Sequence, residues 1–492
     1  MSNTNKTEST SIFSHIALGE TIPINNIHAV SVSMPKLSDV IGYEEMDSDV
    51  CDKIKSAYPR FVVHPYLKTL AEFLREKYTI DSMYEIVLLS SQKSVKIVSE
   101  KYNISNFIKI DEPFGVILVS KEKEHQDVLS FIQYVGANLS SRCAEDYLFD
   151  VGIITNKHKE EIDLDKPQKK IVDILANAYD VQNDGIKLTP SGMNAMYAAL
   201  KGVHSLSAQN GRNILVQFGW LYLDTMNIVE HYFEESKIIY DVEAINELEK
   251  YLEINGTKVS AIVTEYPTNP LLKKPNLKRL KELCTKYDIP LILDSTFATA
   301  YNDDIKNMAD IYVESLTKFA SGNADVLMGA LILNDKSKFT SNTNEYFNHC
   351  DESYIKDMAR LSVQIKGYKS RVEQCALNTK ELVEYFKSAS CVDELFYTTF
   401  ENGSFCPVVS ITFKKDFKFF YDSLNFPKGP SLGTEFTLLM PYTYLAHYDF
   451  IESKKGQEFL KLNDIPIDLL RISVGTENIN EIIKEFDRVL NS

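Results

Sequence analysis

Between residues 171 and 333 short apolar runs alternate with amphipathic stretches, and this alternation restricts the fold more than any other property of the chain. The runs at 213–218 (NILVQF), 258–264 (KVSAIVT), 290–294 (PLILD), 310–315 and 328–333 are short and continuously apolar. They read as strands buried on both faces. Between them, 171–178, 192–200 and 276–287 carry helical spacing, and in the last of these Leu277, Leu280 and Cys284 share one face. Strands that alternate with helices form a mainly parallel sheet, an α/β fold. Such a sheet binds ligands just beyond its strand ends.

The flanking regions differ in texture. Residues 1–20 are polar and are expected to be disordered. Residues 21–165 form an N-terminal extension, with strands expected at 85–89 and 114–120 and a helix whose face carries Leu67, Leu70, Phe73 and Leu74. The highly charged run 157–170 (KHKEEIDLDKPQKK) reads as a solvated boundary. A large domain then spans 166–360, and a smaller α+β domain spans 361–492. The smaller domain has a long first helix, strands near 408–413 and 471–474, and a closing helix at 478–489. A formal net charge of −16 argues against nucleic acid and anionic membrane surfaces as partners. The seven cysteines are scattered and fit reduced, buried thiols. No run is apolar enough for a membrane helix and the first residues lack a signal pattern, so the cytoplasm is the expected location.

Polar residues collect where the strands end. Asp294 closes PLILD, and a buried carboxylate needs a partner such as a cationic ring nitrogen. Lys318 lies just past the strand 310–315, preceded by Ser315 and Thr317, where a lysine can form an imine with an aldehyde cofactor. Ser191-Gly192-Met193 opens a helix, a good phosphate seat. Asn269 sits in EYPTNP, and Tyr222 and Thr225 follow NILVQF. Each has a commoner explanation when taken alone: a turn aspartate, a surface lysine, a serine N-cap, a proline-flanked turn, a core aromatic.

Taken in order, the set is similar to a known family. Ser191-Gly192-Met193, Tyr222-x-x-Thr225, EYPTNP (265–270), DSTF (294–297) and SLTKFASGNADVLMG (315–329) resemble the Cys/Met-metabolism enzymes that use pyridoxal 5′-phosphate (PLP). Ser431-Leu432-Gly433 and Arg471-Ile472-Ser473-Val474-Gly475 resemble two further motifs of that family. The resemblance covers roughly residues 165–490. It implies the PLP-transferase fold type I, with a mainly parallel seven-stranded sheet. It also implies roles. Lys318 is the Schiff-base lysine and proton shuttle, and Asp294 pairs with the pyridinium nitrogen beside Thr296. Ser191, Gly192, Met193, Ser315 and Thr317 surround the phosphate. Tyr222 stacks on the ring and joins Lys318 among the catalytic residues, and Asn269 touches the phenolic oxygen. Arg471 and Ser431 bind the substrate carboxylate, and no metal is implied.

The chain also departs from the family. The compact Y-x-R-x-x-N-P segment, whose Tyr and Arg reach a neighbouring subunit's phosphate, is absent ahead of Ser191. Arg142 takes that role by position, and Tyr58 with Arg60 is the alternative. The shared phosphate contact implies at least a homodimer, and a tetramer is the further expectation. The N-terminal segments HAVSVSMPKLSDVIGYEE (28–45) and YPRFVVHP (58–65) resemble the long-form fungal cystathionine γ-synthases. The implied reaction joins an O-acetyl- or O-succinylhomoserine to cysteine, giving cystathionine in transsulfuration and methionine biosynthesis. Sister activities (homoserine sulfhydrylase, cystathionine γ- or β-lyase) share these motifs. A non-catalytic homologue with a regulatory role is a separate alternative, opposed by the intact Lys318, Asp294 and Arg471.

Overall fold

The computed structural model describes residues 13–55, 58, 62–104, 114–120, 125–233, 235–414 and 416–491. Its centre is a seven-stranded sheet. The strands are β1 (Ile186–Thr189), β2 (Ile214–Phe218), β3 (Glu235–Ile239), β4 (Val259–Glu265), β5 (Leu291–Asp294), β6 (Ile311–Ser315) and β7 (Gly329–Leu333). They lie side by side in the order β1-β7-β6-β5-β4-β2-β3. Strands β6, β5, β4, β2 and β3 pair in parallel, and β7 runs antiparallel to both β6 and β1. Helices cover both faces. Pro167–Tyr179 and Leu277–Tyr287 pack on one side, and Gly192–Ala208 and Leu223–Tyr232 on the other. Burial on both faces is why β7 carries no polar side chain and why every residue of β4 is buried.

The sheet places the polar strand ends together. Glu265 and Asp294 are register partners at the C-terminal ends of β4 and β5, and Asp294 also pairs with Val313 of β6. Lys318 follows three residues after β6 ends. The C-terminal domain starts with the long helix Tyr368–Ser388 and carries a four-stranded sheet that includes Val408–Phe413, Leu438–Pro441 and Leu470–Ser473. It brings Ser431 and Arg471 over the sheet's ligand edge.

The N-terminal extension divides in two. The described residues between 65 and 150 make a lobe around the antiparallel pair Tyr84–Leu89 and Gly115–Ser120, flanked by helices Gln92–Tyr102 and His125–Val135. Within residues 13–55, by contrast, Val32, Met34, Leu37, Val40 and Ile54 join the core of the C-terminal domain. The disorder expected for residues 1–20 does not reach Ile16. The Ile16 side chain is buried against Leu438, and its backbone carbonyl accepts from the Ser33 hydroxyl. Residues 1–12 lie outside the described set.

Candidate active site

Lys318, Asp294, Asn269, Arg471, Ser431, Tyr222, Thr296, Ser315, Ser191, Gly192 and Met193 line one cavity of about 130 Å³. Its two ends carry opposite charge. At one end Asp294 accepts from the Thr296 amide at 2.9 Å, and the Thr296 hydroxyl accepts from the Ser315 amide at 2.9 Å. Beside it, the buried Glu265 accepts from the backbone amides of Tyr222 and Asn269. Burial raises the pKa of both carboxyls above the ordinary range, and Asp294 pushes Glu265 further up. Two adjacent acids in a dry pocket do not both ionise without a cation. At the other end the buried Arg471 donates to the Asn269 amide oxygen (3.0 Å) and the Ser431 carbonyl (2.8 Å), with its guanidinium 5.5 Å from the Tyr442 ring centre. None of these neighbours carries a full negative charge at neutral pH, and burial pulls its pKa down to about 10. The cavity thus offers an anion to a cationic nitrogen and a cation to a carboxylate.

Lys318 stands between the ends. Its Nζ donates to the Ser431 hydroxyl at 3.0 Å and lies 4.6 Å from the Tyr58 ring centre. Ser431 holds this position with a left-handed backbone, φ 101°. The loop behind it touches the lysine backbone: a Cβ on Gly433, φ 75°, would stand 2.6 Å from the Phe319 nitrogen and 2.8 Å from the Lys318 carbonyl carbon. Glycine alone allows that approach.

The helix Gly192–Ala208 begins at the cavity, and the first amides of a helix have no partner within it. A Cβ on Gly192 would come within 2.9 Å of the Ser315 Cβ, so this cradle stays open only with glycine. A compact anion fits there. The pieces together fit a flat, phosphate-bearing ring with a cationic nitrogen.

The placement of three expected residues differs from the sequence reading. Thr317 does not line the cavity; its hydroxyl accepts from the Met328 amide at 3.1 Å and faces the Met328 carbonyl at 3.3 Å. Ser191 lines the cavity, but its hydroxyl donates to the Gly136 carbonyl and caps the helix through the Asn194 amide, both at 3.0 Å. Arg142 lies elsewhere, in a larger cavity of about 680 Å³ that does not include Lys318. Its buried guanidinium is held by Glu160 (2.6 and 2.7 Å) and Asp357 (2.9 Å) of its own chain. Tyr58, the alternative, lines the Lys318 cavity, and Arg60 lies outside the described residues. Glu265 and Tyr442 had no assigned role in the sequence. Glu265 ends β4 just as Asp294 ends β5, and that strand-end acid was the available signal.

One buried acid behind the site gives a pH prediction. Glu314 accepts from the hydroxyls of Tyr179 (2.6 Å) and Tyr368 (2.5 Å), and burial pushes its pKa up to about 7. A carboxyl raised in the folded state stabilises the fold fully below its unfolded value and loses that contribution as pH rises through the folded one. The window runs from roughly 4 to 8, with an effect on the order of 3 kcal/mol. The Glu314→Gln variant is expected to lose less stability than the parent between pH 5 and pH 8. Denaturation curves at both pH values check this, and parallel slopes would refute it.

Residues 175–491 match the sequence pattern of a family described as Cys/Met metabolism PLP-dependent enzymes. The chain is 30% identical to an L-2-amino-4-chloropent-4-enoate dechlorinase/desaturase from Streptantibioticus cattleyicolor, over 94% of this chain and 96% of that one. It is 23% identical to the cystathionine γ-synthase of Saccharomyces cerevisiae, over 96% of this chain and 98% of the other. Among solved structures, the cystathionine γ-synthase of Xanthomonas oryzae pv. oryzae in complex with cystathionine superposes with a TM-score of 0.57 at 19% identity, covering 68% of this chain and 89% of that one.

Proposed function

The chain belongs to the Cys/Met-metabolism PLP-dependent enzymes, and from that premise we propose that it acts on the γ-carbon of an α-amino acid, displacing a leaving group there. The convergence of Lys318, Asp294, Ser431 and Arg471 on one small cavity carries this reading. Bound PLP supplies an electron sink that acidifies protons on the substrate's α- and β-carbons. Asp294 keeps the ring nitrogen protonated, with Glu265 held neutral beside it. Gly192, Met193 and Ser315 would hold the phosphate, Tyr222 would stack on the ring, and Asn269 would hydrogen-bond the phenolic oxygen. Arg471 grips the substrate carboxylate and so fixes which carbons face Lys318. As an uncharged amine, Lys318 Nζ takes and returns protons at those carbons, steadied by the Ser431 hydroxyl. Leu223, Met440 and Ala446 leave the cavity wall beyond Arg471 mostly apolar.

The specific reading is γ-replacement: the acyloxy group of an O-acylhomoserine leaves, the cysteine thiolate forms the new S–Cγ bond, and cystathionine is released. The likeness over nearly full length to the yeast cystathionine γ-synthase supports it. A second reading is elimination from the γ-carbon without an incoming thiol. The 30%-identical relative favours it, because its name puts a chlorine on C4 and calls the enzyme a desaturase. Incubating the PLP-loaded enzyme with O-acetyl- and O-succinylhomoserine, with and without cysteine, separates the two. Cystathionine formed only in the presence of cysteine is the expected result. Equal substrate loss without any thiol would favour elimination, and no turnover of either ester would sink the replacement reading.

A further inference from the structure

Residues from 26 to 35 cross the site's two lysine-holding loops. On one side, the Val30 amide donates to the Ala324 carbonyl (2.8 Å) and the Asn26 side chain to Asp325 (3.0 Å). Those two residues lie in the loop that follows Lys318, and Arg360 and Gln364 fix Asp325 from behind. On the other side, the Ser31 hydroxyl donates to the Pro430 carbonyl (2.5 Å) and the Met34 amide to the Lys428 carbonyl (2.9 Å). The buried Lys428 ammonium returns a bond to the Pro35 carbonyl at 2.9 Å, and the Tyr421 hydroxyl donates to the Met34 carbonyl at 2.7 Å. The chains are nearly in backbone contact, since a Cβ on Gly429 would stand 2.2 Å from the Val32 carbonyl oxygen. Ser31, Val32, Ser33 and Met34 are all buried.

The Pro430 carbonyl belongs to the peptide unit that leads into Ser431. That peptide therefore sits between Ser31 on one side and the Lys318–Ser431 bond on the other. The loop around it also has little freedom elsewhere, because Arg471 holds the Ser431 carbonyl and the Ser473 hydroxyl accepts the Gly433 amide at 2.7 Å. We propose that this N-terminal segment is a strap that sets the position of Ser431, with Ser31 as a positioning residue for Lys318. The extension is then a working part of the site. This inference rests on Lys318 carrying the cofactor, as read above.

The full-length, PLP-loaded enzyme tests it. Ser31→Ala removes the donor, and Ser31→Cys weakens it while nearly keeping the volume. Both are expected to shift the pH midpoint of the bound cofactor's visible absorbance by about half a unit or more. Both are also expected to lower kcat/KM by about tenfold, chiefly through kcat, as a displaced proton carrier does. A thermal melt close to the parent's shows that the variants fold, a property a purely structural serine would change first. An unmoved midpoint with kcat/KM within about twofold in both variants would overturn the strap alone. A parent protein without the visible band, or a band that persists in Lys318→Ala, would overturn the reading of Lys318 and the strap with it.

Discussion

Replacing Lys318 with alanine is expected to lower turnover by at least about 10⁴-fold and to remove the visible absorbance of the bound cofactor. The size follows from how many tasks one atom performs. In the proposed function the Nζ is both the attachment point for the aldehyde and the group that carries protons between the α- and β-carbons. Among the described residues lining the cavity, no other lysine is present. Ser431, 3.0 Å away, is a hydroxyl with too high a pKa to take over as base. Adding a small primary amine to the variant should restore part of the proton transfer, which a misfolded protein could not show. Retention of more than about 1% of parental turnover in Lys318→Ala, with no added amine, would refute the assignment.

The second large effect is expected at Asp294. Exchanging it for asparagine removes the carboxylate proposed to face a cationic ring nitrogen, at nearly unchanged volume. Losing a preorganised charge of this kind costs about 10²–10³-fold in kcat. Cofactor affinity should fall as well, because the pyridinium would face a neutral amide in a dry pocket. The neighbouring acid provides an internal control. Burial and the Asp294 charge both push the pKa of Glu265 up, so Glu265→Gln is expected to change the charge of the pair less than Asp294→Asn does. It should alter kcat by less than about tenfold. Steady-state kinetics and PLP titration of the two variants side by side decide the matter. If Glu265→Gln proved the more damaging, the ionisation order proposed for the pair would be reversed.

Much of the fold was legible because its signal is strong. Strands β2, β4, β5, β6 and β7 are buried on both faces, and their continuous apolar runs stand out. Strands β1 and β3 were not read as strands. Both lie at the edges of the sheet, where Lys187, Glu235, Ser236 and Lys237 interrupt the apolar pattern. The charged run 157–170 was only half understood. It is largely without regular structure, as expected, yet Glu160 turns inward to hold Arg142. That pairing is 18 residues apart in sequence and invisible to local pattern. Thr317 illustrates a similar limit. Its spacing of two from Ser315 put both hydroxyls on one face of an extended strand, but the chain turns after Ser315 and Thr317 braces Met328 instead. The N-terminal strap had no local signature, because its meaning lies in loops several hundred residues away.

That separation has a consequence for how the protein is made. Ser31 and Pro430 are 399 residues apart, and although Ser31–Val32 pairs with Thr21–Ile22, the Val32 side chain is buried in the core of the C-terminal domain. At about 5–20 residues per second, a ribosome needs roughly 20–80 s to synthesise the intervening chain. During that interval the buried apolar face of residues 30–40 has no domain to lie on. The large domain, whose strands are close in sequence, can form first, whereas the completed cavity must wait for the last quarter of the chain. Until then, the apolar side chains of the N-terminal segment lack the surface that buries them in the finished protein.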